Sequence, residues 1–142
     1  MSSTIVVGYV AKPEGRAALR AALTEASLRG SQLLVIHSSI GGSSLTSGEA
    51  VAGEDELAEI RTEMAAVGVE GEARMYVRGL EPSQDIIKAA IEQDAALIVI
   101  GLRRRSPVGK LILGSNAQRI LLDAPCPVLA VKALDEDEDG DA

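Results

Sequence analysis

The chain predicts an α/β fold, a five-stranded parallel sheet with helices on both faces. Two observations carry that expectation. Short apolar segments rich in β-branched residues recur along the 142 residues, and stretches with helical periodicity separate them. Apolar runs without polar alternation belong to strands covered on both sides, as in a parallel sheet between two helical layers. Crossovers of this kind are right-handed.

Thr4–Tyr9 is apolar and β-branched, so it reads as the first buried strand. Pro13 opens a helix at a position where its missing N–H costs nothing. Leu19, Ala22, Leu23 and Ala26 form one apolar face, and Gly30 ends the helix. Leu33–His37 is the second strand. Gly41–Gly53, rich in Gly and Ser, reads as a loop, with a helix from Glu54 to Ala66. Glu72–Val77 alternates weakly, as a strand at or near a sheet edge does. Pro82 opens a third helix with a buried face of Ile87, Ala90 and Ile91. Ala96–Ile100 is the fourth strand, Asn116–Leu122 a helix, and Pro127–Val131 the fifth strand.

Composition narrows the function. With 46% hydrophobic and 25% charged residues, neither a disordered chain nor a membrane protein is expected. Apolar runs such as Leu97–Ile100 and Leu111–Leu113 fall far short of the roughly 20 residues of a membrane helix. The N-terminus shows no signal-peptide pattern, and Cys126 is the single cysteine. A cytoplasmic location is expected from both. The net charge of −7 is concentrated in a tail: six acids lie between Asp135 and Asp141, leaving 14 bases against 15 acids elsewhere. The expected organisation is one domain over 1–133 and an acidic, disordered tail over 134–142. Tyr9 and Tyr76 are the only aromatic residues, so stacking platforms for single strands are lacking and no nucleic-acid partner is expected.

In open α/β sheets, ligands bind beyond the C-terminal ends of the strands where strand order reverses. The loops after the first and fourth strands, starting at Val10 and Gly101, are the natural candidates. The second holds the materials of an anion site. Gly101, Gly109 and Gly114 permit close backbone approach. Gly114 and Ser115 begin a helix, whose free N–H groups and dipole favour phosphate. Arg103, Arg104, Arg105 and Lys110 supply positive charge. The plainer reading of the three arginines is a solvated surface turn.

The stretch from Gly101 to Val131 closely resembles the universal stress protein A family. That family's phosphate loop reads Gly, two residues, Gly, nine residues, then Gly-Ser, followed by a helix and a Cys-Pro-Val-Leu strand. Here Gly101 is followed by Arg104 at the second glycine position and by Gly114-Ser115 at the family spacing. Leu111-Ile112-Leu113-Gly114-Ser115 and Ala124-Pro125-Cys126-Pro127-Val128-Leu129 match well. Ile5-Val6-Val7-Gly8 and Pro13-Glu14-Gly15-Arg16-Ala17-Ala18-Leu19 resemble the family's first strand and helix.

The resemblance implies a Rossmann-like sheet of the adenine-nucleotide alpha-hydrolase-like kind and a homodimer paired through the last strand, Pro127–Val131. It also implies an adenine nucleotide, ATP, with Mg2+ as an optional companion, held without catalysis in stress response or signalling. Gly101, Gly109, Gly114, Ser115 and Asn116 would cradle phosphate, with Arg103, Arg104 and Lys110 neutralising its charge. Val10, Ala11, Ile36 and His37 would line the base and ribose pocket. Two departures keep a second function open. Val10 stands where the family has Asp, and Arg104 where it has Gly. Both suit an interaction module of the same fold whose nucleotide site has degenerated.

Other features favour bland readings. His37, the only histidine, has no carboxylate or Cys partner beside it in sequence, which suits a structural role. Cys126, between two prolines, suits packing. Gly41-Gly42-Ser43-Ser44 reads as a linker, and Gly109-Lys110 is followed by Leu111, so no P-loop is present. No metal cluster or catalytic pair emerges, and an enzyme is not expected.

Overall fold

Apolar strands and helices alternate, and the helices cover both faces of the sheet. The computed structural model describes residues 3–39, 47–77, 81–102 and 113–133. In chain order these form β1 (Thr4–Tyr9), α1 (Pro13–Arg29), β2 (Gln32–Ser39), α2 (Ser47–Ala66), β3 (Gly71–Val77), α3 (Pro82–Gln93), β4 (Leu97–Leu102), α4 (Ser115–Asp123) and β5 (Val128–Lys132). The sheet order is β3-β2-β1-β4-β5, and every neighbouring pair is parallel.

Strand alternation divides the core in two. Ile5, Val7 and Val35 face one side with Leu19 and Ala22 of α1 and with Leu57 and Ile60 of α2. Val6, Leu34 and Ile98 face the other with Ile86 and Ala90 of α3 and Ile120 of α4. The packing is almost wholly aliphatic, as a chain without Phe or Trp demands. Gly30 ends α1 in the left-handed region at φ 65°, where a residue without Cβ is unstrained.

Strand and helix ends move by one or two residues from the expected bounds, and two differences are larger. Helix α2 starts at Ser47, so 47–53 of the expected loop is helical. Within that helix Gly53 faces β3: a Cβ there would stand 2.6 Å from the Met75 sulfur. In α3 the buried face is Ile86, Ala89 and Ala90, with Ile87 only partly covered and Ile91 62% exposed. Ile86 and Ile87 each head a helical stripe, and packing on β1, β2 and α4 selects the one with the smaller alanines behind it. The third strand lies at a sheet edge, as expected.

Candidate functional site

Strand order reverses between β1 and β4, so the chain leaves these neighbours in opposite directions and opens a crevice at their C-terminal ends. A cavity of about 160 Å3 lies there. Its walls are mainly aliphatic, with Val10 from the end of β1, Ile36 from β2, Ile100 from β4, Ile86 from α3 and Ile120 from α4. Glu14 of α1 and Asn116 of α4 are among the described residues that line the cavity.

The first turn of α1 is pressed onto the strand ends. A Cβ on Gly15 would fall 1.8 Å from the carbonyl oxygen of Val10, and one on Gly101 would fall 2.0 Å from that of Glu14. Gly101 therefore lacks a side chain for a reason internal to the fold: it admits α1. The close approach expected there of a ligand is made by Glu14.

The helix starts around the cavity differ in how their donors are used. Glu81 and Gln84 form a capping box at α3, and the Asn116 Oδ1 accepts a further bond of 3.0 Å from the Ser83 N–H. At α4 the N-cap is Gly114, and among the described residues no side chain caps the helix. No described residue lies within 4 Å of where a Gly114 Cβ would stand. A helix start whose N–H donors no described side chain takes, and whose dipole end is positive, fits a phosphate group.

Of the residues expected from sequence, Val10, Ile36, Gly101 and Asn116 line the cavity together. Gly114 and Ser115 are exposed at the start of α4, and Ala11 is exposed in the turn after β1. Arg103, Arg104, Gly109 and Lys110 lie outside the described residues. His37 does not join the others. Strand alternation sends its ring to the opposite face from Ile36, edge-on to Tyr9 with ring centroids 5.6 Å apart. There the Tyr9 hydroxyl donates to the Glu56 carboxylate of α2. Burial and that carboxylate raise the ionisation of Tyr9 above the phenol's ordinary range. Burial pushes the His37 pKa down, and Glu56 opposes it in part. Cys126 is half-buried against the α3–α4 core, and burial pushes its thiol pKa up, as suits packing.

Glu14, Pro82, Ile86 and Ala117 line the cavity without having been expected. The signal for Glu14 and Ala117 was present, since both fall in first helical turns directly after switch-point loops. Pro82 and Ile86 depend on where α3 crosses the sheet, which no local pattern states. Among the described residues no group of three or more His, Cys, Asp or Glu is placed to hold a metal ion, and no helix is long and apolar enough to cross a membrane.

A doubly wound parallel sheet with an aliphatic cavity at its switch point and a helix start beside it defines a small Rossmann-like α/β domain. Comparison with known proteins names the group within that class. The model of the universal stress protein family matches residues 1–132. A universal stress protein of Mycolicibacterium smegmatis is 44% identical over 128 residues, 90% of this chain and 96% of that one. Among solved structures, a universal stress protein from Archaeoglobus fulgidus superposes with TM-score 0.77 at 39% identity, covering 93% of this chain and 100% of its own. A second from that organism, in complex with dAMP, gives TM-score 0.70 at 32% identity, covering 93% of this chain and 98% of its own. The chain belongs to the universal stress protein family.

Proposed function

We propose that this chain is a non-catalytic, adenine-nucleotide-binding protein that acts as a homodimer in cytoplasmic stress response or signalling. The observation that carries the reading is the aliphatic cavity at the switch point, beside the uncapped start of α4. A relative of 32% identity that holds dAMP supports it. The base lies among Val10, Ile36 and Ile86, and the phosphates lie against Gly114, Ser115 and Asn116. Gly109 completes the cradle, while Arg103, Arg104 and Lys110 neutralise charge. ATP is the nucleotide proposed, with Mg2+ as an optional companion. The half-buried side chains of β5 and its outer edge, which no described strand of this chain pairs, support dimer formation there.

Isothermal titration of the full chain with ATP and AMP tests the reading. Saturable heat and a raised melting temperature are expected; neither at millimolar nucleotide would sink it. Sedimentation velocity tests the dimer. One observation favours a second reading: Val10 presents an isopropyl group, 38% exposed, at the cavity where the family resemblance expects an acid. A degenerate site in an interaction module accounts for that. Nucleotide retained through purification would exclude it.

A further inference from the structure

We propose that Glu14 determines sugar specificity, its carboxylate accepting hydrogen bonds from the 2′ and 3′ hydroxyls of a bound ribonucleotide; this rests on the nucleotide reading above. Among the described residues that line the cavity, Glu14 is the only one that carries a carboxylate. It is half-buried, and among the described residues no hydrogen bond or ion pair engages its side chain. Its neighbour Arg16 is drawn instead to Glu56 of α2, at 4.0 Å. A partly desolvated acid in an otherwise aliphatic cavity has unused acceptor capacity, which a ligand with O–H or N–H donors satisfies.

Its position selects among donors. Across the sheet the cavity runs from Ile36 on β2, past Val10 on β1, to Gly101 on β4, and ends at Asn116 and Ala117 in the first turn of α4. The aliphatic end suits a flat base, and the α4 start suits phosphate. Glu14 stands over Gly101, between these ends: its carbonyl oxygen and Cβ lie 2.0 and 3.1 Å from the place of a Gly101 Cβ. The group that joins a base to a phosphate is the sugar. Phosphate is repelled by the acid, whereas a cis-diol offers two O–H donors to two carboxylate oxygens. The side chain of Val10, directly after β1, offers no polar atom in competition.

Calorimetry with AMP, 2′-deoxy-AMP and 3′-deoxy-AMP on the full chain and on Glu14→Gln and Glu14→Ala tests this. The parent chain is expected to hold AMP about tenfold or more tighter than either deoxy form, the effect of one charge-assisted hydrogen bond. In Glu14→Ala the three ligands should bind alike, because neither hydroxyl then has its carboxylate acceptor. Glu14→Gln, which keeps the shape and one acceptor, should show a reduced preference. Its melting temperature without ligand should equal the parent's, so it carries the test if the alanine variant fails to fold. Equal binding of AMP and its deoxy forms by the parent overturns the assignment and leaves nucleotide binding standing, as does a preference that survives in Glu14→Ala. No binding of any of the three by the parent overturns both.

Discussion

The carboxamide oxygen of Asn116 accepts a hydrogen bond of 3.0 Å from the backbone N–H of Ser83. The bond ties the first turn of α4 to the first turn of α3, two helices that otherwise meet through aliphatic contact around Ile86 and Ile120. Ser83 N–H is one of the donors a helix start leaves without an intrahelical partner, and Ser83 is 3% exposed, so water is a poor substitute. Asn116 directly follows Gly114 and Ser115, and it holds in place the helix whose open end they form.

Asn116→Ala should therefore destabilise the fold by about 1 kcal/mol, the usual cost of losing a cap. Asn116→Asp keeps the acceptor and should lie within about 0.5 kcal/mol of the parent. Urea denaturation separates them. If the proposed phosphate site is right, the aspartate variant should still bind ATP more weakly than the parent, by placing a negative charge beside the phosphates. Equal ATP affinity in calorimetry would remove Asn116 from the site.

The glycines around the cavity divide by neighbour. A Cβ on Gly101 meets the Glu14 carbonyl at 2.0 Å, and backbone yields far less readily than a side chain. Gly101→Ala should cost about 1–3 kcal/mol, with or without ligand. A Cβ on Gly114 meets no described residue within 4 Å, so Gly114→Ala should change stability by no more than about 1 kcal/mol. Its effect should fall on nucleotide affinity, because the methyl occupies the approach to the α4 N–H groups. A Gly114→Ala variant with unchanged ATP affinity would argue against phosphate at that helix start.

These contrasts bear on what the sequence made legible. The strands were readable because Ile5–Val7 and Leu97–Ile100 are buried on both faces, and burial of that kind writes itself as an uninterrupted apolar run. Pro13, Pro82 and Gly30 punctuate helices for reasons confined to the local backbone. The face of α3 was not readable, since Ile86 and Ile87 offer adjacent stripes and only the tertiary neighbours choose. Among site residues, Val10, Ile36 and Gly101 followed from the rule that ligands sit at strand C-termini. His37 was misplaced because proximity in sequence to Ile36 was read as sharing its pocket, although adjacent strand residues point to opposite faces. Gly101 lines the cavity, yet its close partner is Glu14, a contact between segments far apart in sequence.

Tyr9 illustrates the same alternation. Its backbone borders the cavity, while its side chain crosses to the other face and donates to Glu56. Tyr9→Phe keeps the ring contact with His37 and removes one hydrogen bond to a carboxylate. A loss of about 1–2 kcal/mol is expected in urea denaturation, because the hydroxyl belongs to a residue only 3% exposed. A variant as stable as the parent would mean that the Tyr9–Glu56 contact adds nothing to the attachment of α2.

His37 makes stability depend on pH in a direction its surroundings dictate. Burial lowers its pKa in the folded chain below 6.5, and the attraction of Glu56 offsets only part of that. The unfolded chain keeps the ordinary value, so as pH falls the unfolded form takes up the proton first. Stability should therefore rise with pH from the folded value up to about 6.5 and gain nothing further from this group above it. Urea midpoints between about pH 5.5 and about pH 7.5 should show that slope in the parent and a flatter one in His37→Gln. As the only histidine in the chain, His37 gives a single imidazole titration by NMR. A folded-state midpoint at or above 6.5 would show that Glu56 outweighs burial and would reverse the predicted slope.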